Sequence, residues 1–374
     1  MSEHPIAEFS RRLAKVAPNT TSTTTTTAPA VVYSADFRAI LEEAAAWLMH
    51  ACHIFATNGK TKLSTEFRFC EIELYAFSKG VYEDRFTHCD AQQSVGGSWY
   101  FHKKGGTFKN GSFKGLDVTF GTQRGAQDGG PISVGLLIRS ICPVVATSGK
   151  EAELDPKKVI EGPSLVVDGL LAACGVANIV ELVGSKEGVL MVSNSLVTDI
   201  NAKSDGCRFD SRLELKWTSP QITDAIVKAS PLSKASSFDS TFLRLGMLQA
   251  PRVGLVPRME SDLYFAGRLL RCSTPLVKLA KQRAGVIAAL LVQGMPSNDV
   301  QRVSGGTSKN VAQLAALIKD IDSKKILLKD IARNVADGDD ASTPFTKGGV
   351  LSGDVMQGPI IAGIVAWAHG NQCL

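Results

Sequence analysis

The chain has 374 residues, 44% hydrophobic and 21% charged, with a net charge of +5. That is enough apolar material for a large core in one or two domains. No apolar run reaches the roughly 18 residues a membrane-crossing helix needs, so a soluble protein with no membrane partner is expected. The mild positive charge is compatible with a polyanionic partner but does not select one.

The eight cysteines form no C-x-x-C pair, and several lie in apolar runs, as Cys174 does after Leu170 and Leu171. This predicts free thiols in a reducing compartment. With no signal-peptide core near the start, the expected location is intracellular, nuclear or cytoplasmic, with organelle targeting left open. Residues 1–32 include a Thr/Ser/Pro-rich tract from Thr20 to Pro29 and are expected to be a disordered tail.

Phe37, Ile40, Leu41, Ala44, Trp47 and Leu48 recur at helical spacing, with Asp36 in the first turn. Asn58-Gly59 marks a turn. The run Phe69–Tyr75 alternates as a strand, so Phe69, Glu71, Glu73 and Tyr75 should share one face, and Cys70, Ile72 and Leu74 the other. Strands are also predicted around 112–120 and 134–141, and shorter ones at 189–192, 213–217, 251–255 and 267–271. Pro163 suits the first turn of a helix through Leu171. Apolar spacing predicts one helix over 276–291 and a second over 311–321, broken near Gly305-Gly306.

The fold expected is a single mixed α+β domain over 33–275. A curved, antiparallel-rich sheet with peripheral helices should form it, followed by a helical extension over 276–374.

Several residues suggest chemistry. Glu71 and Glu73 lie between two aromatic rings on one strand face, which suits a cleft. Arg139 sits inside an apolar strand and needs a buried partner, for which Glu73 or Glu71 is the candidate. The pair should approach within hydrogen-bond or one-water distance, with Tyr75 and His88 at the rim. A structural salt bridge is the plainer reading. His88, Cys89, Asp90 and His102 are metal-ligating types, but adjacent residues on an extended chain point oppositely, so no metal is expected. Lys103, Lys104, Lys109 and Lys114, interleaved with Phe108, Phe113 and Phe120, could form a nucleic-acid edge.

Taken in order, these segments resemble the alkyladenine (3-methyladenine) DNA glycosylase family over roughly residues 45–275. Glu71-Ile72-Glu73-Leu74-Tyr75 resembles its E-x-E-A-Y strand, and Asp84 to His88 its D-x-x-x-H. Gly115 to Gly121 is similar to its Y-V-Y-x-x-Y-G strand end, and Gly135 to Ser140 to its V-L-L-R-A. Gly162 to Leu165 is similar to its G-P-G-x-L helix start, and Pro251 to Gly254 to its P-R-V/I-G.

The resemblance implies a monofunctional enzyme, with no cofactor and acting as a monomer on duplex DNA. It would hydrolyse the N-glycosidic bond of an alkylated or deaminated purine. It also implies Glu73 as general base on a water, and Arg139 as the arginine that helps hold that water and charge. Tyr75 and His88 would line the base pocket, Phe120 would be the intercalating wedge, and Val253 would lie near the water.

Departures from the pattern bear on substrate. Asp117 stands where the family has a second pocket aromatic; it cannot stack, but could hydrogen-bond a base edge or a ribose hydroxyl. Trp99, Tyr100 or Phe101 could supply the missing wall. The loop from His88 to Phe120 is longer than the family's, and its Arg-Asn has no counterpart in Val95–Phe101. Two other readings stay open: a same-fold hydrolase acting on another N-glycoside, such as a free nucleotide or modified base, and a non-catalytic nucleic-acid-binding module.

Overall fold

The computed structural model describes residues 5–16, 33–123, 130–145, 153–184, 190–192, 211–217, 247–252, 270–274 and 283–323, with Leu255, Phe265 and Val277. They fall into two compact units. The first takes those within Met1–Pro18, Ser34–Glu83 and Thr87–Val227, and the second those within Asn19–Tyr33, Asp84–Phe86 and Lys228–Leu374. The division therefore comes near 227, earlier than the break expected at 275.

In the first unit, helix α1 (Pro5–Ala14) buries Ile6, Phe9 and Leu13. This corrects the expectation of a disordered tail over those residues: a single apolar stripe suffices once the rest of the unit offers it a partner. Helix α2 (Ala35–Ala51) starts at Ser34, whose hydroxyl accepts from the Phe37 N–H as an N-cap. Strands β1 (Cys52–Thr57), β2 (Ser64–Ser78), β3 (Tyr82–Glu83) and β4 (Ser98–Phe101) follow, then a hairpin of β5 (Lys103–Lys104) and β6 (Thr107–Phe108). Next come β7 (Leu116–Thr119), β8 (Ser133–Val145), β9 (Glu153–Leu154) and β10 (Ile160–Glu161). Helices α3 (Pro163–Cys174) and α4 (Ile179–Val183) precede β11 (Leu190–Met191) and β12 (Arg212–Trp217). The fold class is mixed α+β, as expected.

The main sheet runs β11-β4-β7-β8-β2-β1-β12, and the pairings along it are antiparallel. It curls until its ends meet. The Leu215 N–H donates to the Val192 carbonyl at 2.7 Å, and the Trp99 indole N–H donates to the Leu213 carbonyl at 3.0 Å. The register lines up Trp99, Val118, Leu136 and Leu74 as one fully buried apolar row. Curling lets a sheet with one apolar face bury that face against itself.

Phe120, the expected wedge, belongs to this core. It is 0% exposed, with its ring 6.0 Å from Phe9 and 6.4 Å, edge-on, from Trp47. An intercalating side chain must reach the surface, so the structure corrects that assignment. Truncating it in Phe120→Leu should lower unfolding free energy by about 1–2 kcal/mol through lost aromatic packing. Binding to undamaged duplex should stay unchanged, and a selective loss of duplex binding without loss of stability would restore the wedge role.

In the second unit, β13 (Leu248–Ala250) pairs with β14 (Arg271–Ser273). Arg252 and Asp84, both fully buried, form a bidentate ion pair at 2.5 and 3.2 Å, with the guanidinium 5.4 Å over the Phe86 ring. Helices α5 (Arg283–Val292), α6 (Ser297–Ser304) and α7 (Ser308–Asp322) complete the described part. The sequence predicted two helices here. Gly294, at φ +87, and Pro296 add a break, because a left-handed residue followed by a proline cannot continue a helix. The Gly-rich end over 348–374 lies outside the described residues.

Candidate functional site

Where β2 pairs with β8, the register shifts twice. Phe69 faces Ile141, Glu71 faces Ser140 and Ile72 faces Ile138, so Cys70 is extra on one strand and Arg139 on the other. The predicted alternation is interrupted between Phe69 and Ile72 by this irregularity. The Arg139 carbonyl accepts from the Gly162 N–H at 2.7 Å, just ahead of α3, which gives the displaced backbone a partner.

The Arg139 side chain meets both carboxylates. Its Nη1 is 3.4 Å from Glu73 Oε1 and its Nε 3.8 Å from Glu71 Oε2. Tyr75 donates its hydroxyl to Glu73 Oε2 at 2.9 Å, and Ser140 donates to Glu71 Oε2 at 2.9 Å. Glu73 is 0% exposed and Glu71 5%, while Tyr75 and Arg139 are only partly covered. Burial works against the charge on Arg139, but Glu73, then Glu71 and Tyr75, outweigh it and raise the guanidinium pKa above its usual value. Each Glu73 oxygen holds one donor here and keeps lone-pair capacity for a water.

A second polar cluster lies on the same sheet face. The pairings Tyr100–Asp117, Asp117–Leu137 and Leu137–Glu73 form one row across four strands, so these side chains project to the same side. Asp117, 1% exposed, accepts from His102 Nε2 at 2.7 Å and from Gln93 Nε2 at 3.0 Å. A Cβ on Gly135 would lie 2.3 Å from Asp117 Oδ2 and 2.7 Å from Gln93 Nε2, so glycine is required there.

His88 packs edge-on against His102, with ring centroids 4.5 Å apart. Lys109 approaches His88 Nε2 at 3.4 Å; an ammonium only donates, so that nitrogen is the acceptor and the ring proton sits on Nδ1, toward Tyr100. Removal from water, then the positive neighbours His102 and Lys109, bring the His88 pKa down to about 4. It is therefore a neutral ring at pH 7.

Of the residues singled out in the sequence, the structure joins Glu71, Glu73, Tyr75 and Arg139 in one cluster, and His88 and Asp117 in the other. Phe120 is in the core, and Val253 lies outside the described residues. Among the three candidates for the missing pocket wall, Trp99 and Phe101 turn to the apolar side, whereas Tyr100 joins His88 and His102. In the expected nucleic-acid edge Phe108 is buried beneath Lys103, Phe113 is 76% exposed, and Lys114 is paired with Asp168. Sequence reasoning missed Ser140 and Gln93. Gln93 is recognisable as the N3 residue of a capping box with Asp90, but that signal says nothing about Asp117.

Among the described residues no group of His, Cys, Asp and Glu is arranged to hold a metal ion, and the described cysteines are free. No helix among them is long and apolar enough to cross a membrane.

A stretch of 146 residues is 31% identical to "Uncharacterized protein L759" of Acanthamoeba polyphaga mimivirus. The match takes in 37% of this chain and 60% of the viral protein, so the chain spans less than two thirds of that relative's length. No protein-family model matches the chain.

Proposed function

We propose that the first unit hydrolyses an N-glycosidic bond, and that its substrate is an alkylated or deaminated purine in duplex DNA. The reading rests on one observation: the buried Glu73 carboxylate held between Arg139 and the Tyr75 hydroxyl. A carboxylate gripped on two sides has few orientations to lose, so a water on its free lone pair is presented in a fixed direction. Glu73 takes the water proton as its oxygen attacks C1′, and the C1′–N bond breaks toward the base. No lysine amine lies in this cluster, so the product is an abasic site without strand cleavage. The resemblance to the alkyladenine glycosylase family supports this substrate class.

Release of free base from duplex oligonucleotides carrying 3-methyladenine, hypoxanthine or ethenoadenine is the test. Release from at least one of them is expected. A folded full-length protein that releases none removes the DNA reading.

Phe120 favours a second substrate. With that ring in the core, the residue assigned to hold open a duplex does not do so, and Asp117 offers a polar wall in place of a stacking one. The same chemistry on a free nucleoside or nucleotide needs no base flipping. Release from free purine nucleosides at a rate equal to or above that from duplex would select it. Tight DNA binding with no turnover on either substrate would leave the binding-module reading.

A further inference from the structure

We propose that His102 is the general acid of this site, delivering a proton to the departing base, with Asp117 as its positioning residue. This rests on the N-glycoside reading and adds a residue to it. Glu73 and Arg139 account for the water, but nothing in their cluster handles the electron pair that the base carries away. When the C1′–N bond of a neutral purine breaks, that pair goes to the ring system, and a proton on a ring nitrogen must meet it. A base already alkylated to a cation leaves neutral and needs no such proton.

The geometry selects His102 for that role. Its Nε2 is held by Asp117 at 2.7 Å, and Asp117 is in turn fixed by Gln93. That fixes the ring's orientation and leaves Nδ1 as the nitrogen that carries the transferable proton. The His102 N–H donates to the Gly115 carbonyl. The ring lies over Gly115 so closely that a Cβ there would sit 2.5 Å from Nδ1. Extending the β7–β8 register by two residues puts Gly115 opposite Arg139, so the ring leans toward the Glu73 cluster.

Asp117 and Glu73 are two strand spacings apart with Leu137 between them, on the order of 10 Å. A water, C1′ and a purine ring nitrogen fit that span. His88 does not qualify: Lys109 occupies its Nε2, and the ring is neutral at neutral pH.

The experiment compares release of hypoxanthine, a neutral base, with release of 7-methylguanine, a cationic one, from otherwise identical duplexes under single-turnover conditions. The wild-type full-length protein should release both. His102→Gln should lower hypoxanthine release by about 10²-fold or more while changing 7-methylguanine release by less than about threefold. Gly115→Ala, which pushes the ring aside and keeps the imidazole, should give the same split and stands in if His102→Gln does not fold. Equal losses on both bases, or no loss, overturn the role of His102 and leave the hydrolase intact. So does a wild-type protein that releases only 7-methylguanine. A wild-type protein that releases neither base, from duplex or from free nucleosides, overturns the hydrolase reading and this one with it.

Discussion

The Glu73→Gln protein should fold, bind substrate and release base about 10²–10⁴-fold more slowly than wild type, the span associated with removal of a positioned general base. The substitution keeps the side chain's shape, so Tyr75 and Arg139 retain an oxygen to donate to. Charge bookkeeping explains why the fold should survive. One guanidinium and two carboxylates give Arg139, Glu73 and Glu71 a formal charge of −1, and the substitution brings it to zero. Arg139 keeps Glu71, 3.8 Å from its Nε.

Water activation acts in the transition state, so the loss belongs in the chemical step and not in binding. Single-turnover release together with equilibrium binding separates the two. Unchanged release from a folded Glu73→Gln protein would mean that Glu73 is only half of a structural ion pair.

Arg139→Ala should be worse for the protein as a whole. It leaves Glu73 and Glu71, 0% and 5% exposed, as two buried carboxylates with no guanidinium between them. Removing one partner of a buried pair typically costs about 3–5 kcal/mol, because the remaining charge is desolvated without compensation. Tyr75 and Ser140 still donate to one carboxylate each, which limits the damage without neutralising it.

Urea unfolding of the variant beside wild type gives the number. Adding Glu71→Gln to Arg139→Ala should recover part of the loss, since groups sharing one partner are not additive. A loss below about 1 kcal/mol, the range of exposed ion pairs, would mean that the cluster is hydrated, and the argument for a held, oriented Glu73 would fail with it.

The sequence by itself determined the kind of protein and the face on which its polar groups collect. Apolar spacing located α2, α3 and the strands carrying Glu73, Asp117 and Arg139, because helical and strand periodicities are local properties of the chain. An arginine inside an apolar strand announced a buried carboxylate partner before any coordinates did.

Other features were decided by packing. The irregularity that aims Arg139 between Glu71 and Glu73 arises where two distant strands pair, and no spacing within either strand encodes it. The apolar stripe of α1 is too short to hold a helix alone and gains one from the aromatic cluster around Trp47 and Phe120. That same cluster turned Phe120 from a surface wedge into core. The curl that joins Val192 to Leu215 depends on strand twist summed across the sheet. His102, Gln93 and Asp117, scattered over 93–117, became one hydrogen-bonded unit only because Gly135 and Gly115 leave room for them. Local pattern determined which elements exist; side-chain proximity between elements, which is what makes a site, was set by the tertiary fold.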